Sequence, residues 1–191
     1  MDARSIHMGY TAASPASRQS RSQAYRAIGW AGLVAGSLDI TVALVESGLE
    51  GKSPLHLFQA IGGGLLGVSS FRGGLATAAL GAFFHFLIAT TAAAVFYLAS
   101  RKVRFLLEHA IASGLLYGVA VYTFMNYIVL PLSAYHTEIA VPHLIDVAIL
   151  MLVVGLPISL IVGKYSDWGL GREQPAKVLV EAPACDLRGR P

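Results

Sequence analysis

Residues 27–45, AIGWAGLVAGSLDITVALV, are apolar or small almost without interruption and hold a single group able to carry charge, Asp39. Nineteen such residues, coiled as a helix rising about 1.5 Å per residue, match the roughly 30 Å hydrocarbon thickness of a bilayer. Runs of similar length recur at residues 75–99, 110–130 and 144–163. The composition agrees with that repetition. Charged residues make up 13% of the chain, against about 25% in an ordinary soluble domain, and 55% of it is apolar. The expected fold is therefore all-α, a polytopic membrane protein with four transmembrane helices in a bundle.

A fifth stretch, residues 54–71, is long enough to compete as a span but contains Gly62, Gly63 and Gly64. Each glycine inside a helix costs about 1 kcal/mol relative to alanine. A short helix, interfacial or re-entrant, is the better expectation. Charge placement supports four crossings. With both ends cytoplasmic, twelve of the 14 Lys and Arg fall inside, leaving only Lys52 and Arg72 outside. A fifth crossing would put most of them outside. Residues 1–26 and 164–191 lack an apolar period and are expected to be disordered cytoplasmic tails. Trp30, Tyr97, Tyr165 and Trp168 then lie together near the cytoplasmic boundary, as an aromatic belt does.

The net charge of +3 does not point to nucleic acid, because the basic residues lie in tails and connections rather than on a compact basic surface. They suit topology and contact with anionic headgroups. Cys185 is the single cysteine, so no intrachain disulfide can form. The polar, Arg- and Ser-containing start followed by an apolar run resembles a secretory signal in outline. No small-residue cleavage site follows the run, which makes a retained first span the expectation, with an organelle transit segment as the alternative.

Spans in hydrocarbon associate through close packing of small residues. Gly32, Gly36, Asp39 and Ala43 form one stripe on the first span, and Ala78, Ala82, His85, Ala89 and Ala92 form another on the second. The third carries Gly114 and Gly118, then Tyr122 and Asn126. Gly32, Gly36, Gly114 and Gly118 are the expected packing positions. Asp39, His85 and Asn126 are the expected buried polar groups. Counted from the outer boundary, Asp39 lies about 9 Å deep and His85 about 15 Å deep, close enough to meet directly or through a water. An acidic side chain at mid-span costs roughly 2.5–3.5 kcal/mol to insert, so it faces a partner or a cavity. Two readings follow for the pair: a proton- or cation-accepting site, or a hydrogen-bonded lock between helices.

His143 and Asp146, three apart on one helix face, and His136 in the preceding loop form a candidate outer-face metal site. No cofactor is expected. A haem would need a second axial ligand at the depth of His85, and no other histidine lies well inside a span. There is no GxSxG, no P-loop and no dinucleotide fingerprint, so the chain is not expected to be an enzyme.

The segments AGLVAGSLD, LGAFFHF and MNYIVLPLS, spread over residues 27–135, resemble those of small uncharacterised bacterial inner-membrane proteins with four predicted transmembrane helices. The resemblance implies a bacterial plasma-membrane location and attaches importance to Asp39 and His85, but supplies no reaction. The expected role is a non-catalytic structural or assembly component, with the lipid bilayer and a second copy or another membrane protein as partners. The alternative is a small oligomeric transporter or channel subunit built on Asp39 and His85.

Overall fold

The computed structural model describes residues 15–134 and 144–170. The described chain is helical throughout: α1 (Pro15–Leu49), α2 (Pro54–Leu66), a 3-10 turn (Gly67–Arg72), α3 (Gly74–Lys102), α4 (Phe105–Glu108) and α5 (Ala110–Phe124). After a π-helical turn (Met125–Val129) come α6 (Leu130–Leu132), α7 (Leu144–Leu150), a second π turn (Met151–Gly155) and α8 (Leu156–Leu170). Four stretches are long and apolar enough to cross a membrane: Arg21–Leu49, Gly74–Lys102, Ala110–Leu132 and Leu144–Tyr165.

Two expectations about the tails are corrected. Residues 15–26 are helical, not disordered, and residues 164–170 also continue a helix. Once the apolar part of α1 is helical, each added turn requires only propagation. Residues 1–14 and 171–191 lie outside the described part.

The third and fourth spans share a device. Pro131 and Pro157 each follow a π turn by one residue. Proline lacks an amide hydrogen and its ring presses on the carbonyl four residues back; widening the preceding turn relieves both conflicts while the helix continues. The third span therefore does not stop ahead of Pro131 but runs through it to Leu132.

The spans alternate in direction. Gly32 approaches Thr90 while Gly36 approaches Phe86 and Ala89, so α1 and α3 are antiparallel. Gly114 meets Ser159 and Gly155, and Gly118 meets Met151, so the third and fourth spans are antiparallel too. The first span sits between the second and the fourth, and the third packs on the fourth. Their common centre is Ala31, Ala35, Ala93, Phe96, Val154, Ile158 and Val162. Tyr117 closes the ring by donating its hydroxyl to the Ala92 carbonyl at 2.7 Å and meeting the Phe96 ring edge-on at 5.0 Å. Outward positions are apolar as well: Leu33, Phe83, Leu98, Leu116 and Leu152 are all exposed. Such a surface suits hydrocarbon and not water.

The segment at 54–71 becomes α2 and the 3-10 turn. Thirteen residues span about 20 Å, too short to cross. Ser53 caps α2 by accepting from the His56 amide, and Pro54 opens its first turn. Gly67, at φ +61°, ends it in a backbone conformation that a side chain rarely adopts. The glycines inside α2 have a use. A side chain at Gly62 would stand 2.8 Å from the Thr77 carbonyl oxygen, and one at Gly81 would collide with the carbonyl oxygen of Phe58. The backbones of α2 and α3 therefore touch, and the propensity lost in α2 is the condition for that contact.

Candidate functional site

Asp39 and His85 come together across the seam between α1 and α3. The close approach on one side of them sets the distance: Gly32 and Gly36 on one helix, Ala89 and Thr90 on the other. Within that approach His85 Nε2 lies 2.9 Å from the Gly36 carbonyl oxygen and 3.9 Å from Asp39 Oδ2. A carbonyl oxygen can only accept, so Nε2 carries the hydrogen and donates it to Gly36. The Asp39 carboxyl is beyond hydrogen-bond length of the ring. Gly36 and Asp39 are three residues apart, so the imidazole bonds one acceptor and lies beside a second group on the same face of α1. The His85 side chain is 12% exposed and the Asp39 side chain 31%. The histidine is enclosed, while the carboxylate keeps an open edge. Phe86 closes one side of the ring edge-on at 5.3 Å.

Asn126 does not join them. Its Nδ2 donates to the Tyr122 carbonyl oxygen at 3.0 Å, one turn back on its own span and at the edge of the first π turn. The four glycines expected at packing positions all occupy helix crossings. On the second span His85 and Ala89 of the expected stripe lie towards α1, while Gly81, outside that stripe, meets α2.

Of the outer-face metal candidates, Asp146 stands in the first turn of α7, partly exposed. His136 and His143 lie outside the described residues. Among the described residues no group of three or more His, Cys, Asp or Glu side chains converges.

A polar cluster not foreseen from the sequence pins α2 and its 3-10 turn to the start of α3. Gln59 Nε2 donates to the Gly74 carbonyl at 3.1 Å, and Ser70 Oγ donates to the Gln59 carbonyl at 2.7 Å. Thr77 Oγ1 donates to the Ser70 carbonyl at 2.6 Å. Gln59 and Ser70 are both buried. The partners are 7 to 15 residues apart and follow no helical period. The only hint in the sequence is a glutamine, serines and a threonine inside otherwise apolar text. Every side-chain donor in this cluster ends on a backbone carbonyl, which makes it a clasp rather than a reactive centre.

A cavity of about 460 Å³ opens between α1 and α8, towards the beginning of α1 and away from Asp39. Neither Asp39 nor His85 lines it. Comparisons with family models, with curated proteins and with solved structures returned no match.

Proposed function

We propose that this chain is a multi-pass integral membrane protein with a non-catalytic structural or assembly role, in which His85, beside Asp39, locks the second span to the backbone of the first. The observation that carries this reading is the 2.9 Å contact from His85 Nε2 to the Gly36 carbonyl. It commits the imidazole hydrogen to the neighbouring backbone instead of to an open path. Interhelical hydrogen bonds of this kind contribute about 0.6 kcal/mol on average and up to roughly 2, modest in energy but demanding in register. The expected setting is the bacterial plasma membrane with both ends cytoplasmic, supported by the distribution of Lys and Arg and by the resemblance over residues 27–135. Outward small residues such as Gly29 and Gly48, which have nothing within 4 Å, leave room for a second copy or another membrane protein.

A second reading, a proton- or cation-conducting subunit, draws on one observation. The Asp39 side chain is not sealed, at 31% exposed. Flux into liposomes separates the two. The lock reading expects wild type and Asp39→Asn to leak equally, while both fold and elute alike. A pH-dependent flux that Asp39→Asn abolishes would establish conduction instead.

A further inference from the structure

The cavity between the first and fourth spans has a graded chemistry. On α1 it is lined by Gln23, Arg26, Trp30 and Val34, whose steps of three and four residues place them on one face. On α8 it is lined by Ile161, Lys164 and Tyr165. Because the two helices run in opposite directions, Arg26 near the start of one lies level with Lys164 near the end of the other. Val34 is about 12 Å further along α1 than Arg26, and Ile161 lies one turn deeper on α8 than Lys164. One end of the groove therefore carries two cations and an amide, the middle two aromatic rings, and the far end only hydrocarbon. Among the described residues no ion pair takes up either cation.

We infer that this groove binds one anionic phospholipid from the surrounding bilayer. The phosphate sits between Arg26 and Lys164, the interfacial part of the lipid lies beside Trp30 and Tyr165, and an acyl chain covers Val34 and Ile161. The inference rests on the membrane reading proposed above. Three features select a lipid. Two cations from different helices favour a negatively charged group. Trp and Tyr mark the level at which headgroups meet acyl chains. The apolar far end would stay empty beneath a free phosphate or a soluble anion, but a phospholipid fills both ends at once.

Trp30 reports on occupancy directly. The chain has two tryptophans, so Trp168→Phe leaves Trp30 as the only tryptophan, excited selectively on the red edge where tyrosine does not absorb. The full chain carrying that change is reconstituted into phosphatidylcholine vesicles, and flotation is scored first. Protein that fails to float contradicts the membrane reading itself. In floated samples Trp30 quenching is compared between brominated-chain phosphatidylglycerol and brominated-chain phosphatidylcholine at equal mole fraction. The expected result is a preference for the anionic lipid of roughly fivefold per cation. That preference should collapse in Arg26→Gln/Lys164→Gln and persist in Arg26→Lys/Lys164→Arg. If the neutral variant does not reconstitute, raising the salt on the wild-type groove should erode the preference in its place. Equal quenching by the two lipids would overturn the proposal, as would a preference that survives neutralisation. Displacement by millimolar inorganic phosphate at constant ionic strength would make this a soluble-anion site. Absence of quenching by either lipid, with cross-linking between copies through a cysteine placed at Gln23 in a Cys185→Ser background, would make it a protein interface.

Discussion

Gly155 lies where the fourth span crosses the third, and replacing it with alanine tests the packing directly. An added methyl would stand 2.6 Å from the Gly118 amide nitrogen and 2.9 Å from Gly118 Cα, and would run into the Gly114 carbonyl oxygen. Ordinary contact begins near 3.4 Å, so the third span must retreat by at least about 0.8 Å from that nitrogen. A gap of 0.5–1 Å forfeits roughly a quarter to a half of each dispersion contact along the seam. Overpacking of this kind costs about 1–3 kcal/mol. In hydrocarbon there is no hydrophobic driving force between spans to offset it. At about 2–4 °C per kcal/mol for a chain of this length, a mid-range cost lowers Tm by roughly 4–8 °C. The assay is thermal unfolding of purified protein in one detergent at one scan rate, followed by circular dichroism. Gly163→Ala, eight residues further on, is the control. Nothing lies within 4 Å of its added methyl, and helix propensity should leave it neutral or stabilise it by up to about 1 kcal/mol. If Gly155→Ala melts at or above wild type alongside Gly163→Ala, the crossing is not where the backbones place it.

Three further outcomes are expected. Ser113 is buried and its hydroxyl has no hydrogen-bond partner among the described residues, so Ser113→Ala should raise stability by about 1 kcal/mol in the same melt; a lower Tm would show that the hydroxyl is engaged. Ser70→Ala removes the donor to the Gln59 carbonyl and should cost about 1–2 kcal/mol, loosening α2 first, which faster protease cleavage at Gly51–Ser53 would register. His85→Phe keeps most of the ring's packing and removes the hydrogen bond to Gly36, so destabilisation of about 0.5–2 kcal/mol is expected; a loss above about 4 kcal/mol would mean the Asp39 carboxyl depends on the imidazole far more than a 3.9 Å separation implies.

The four crossings are legible in the sequence because the bilayer imposes one requirement, length without charge, that any helix must meet before contacts matter. Gly32 with Gly36 and Gly114 with Gly118 are legible for a similar reason: a spacing of four stacks two small residues on one face and shows a neighbour where to sit. Gly155, the residue those last two receive, carries the same signal in a weaker form, with Ser159 four positions on. The approach of Asp39 to His85 follows from depth and from shared stripes, both countable from the chain. Asn126 could not be placed that way, because an asparagine on a helix can satisfy its amide on the carbonyl one turn back, as it does here. The clasp of Gln59, Ser70 and Thr77 is equally silent in the sequence. Its geometry depends on how the 3-10 turn folds α2 back onto α3, and nothing periodic records that.

The position of α1 carries a consequence for how the molecule is assembled. Ala31 and Ala35, fully enclosed in the finished protein, are covered partly by Val154, Ile158 and Val162. Those three belong to the fourth span, which leaves the ribosome after the other three. Until they arrive, the opening rod of the chain has one flank against α3 and the other against whatever the membrane offers. A chain cut short before Leu144 would therefore not yield a smaller version of the same bundle. It would yield three rods with an unclosed flank, suited to a quality-control protease or to the fourth span of another copy.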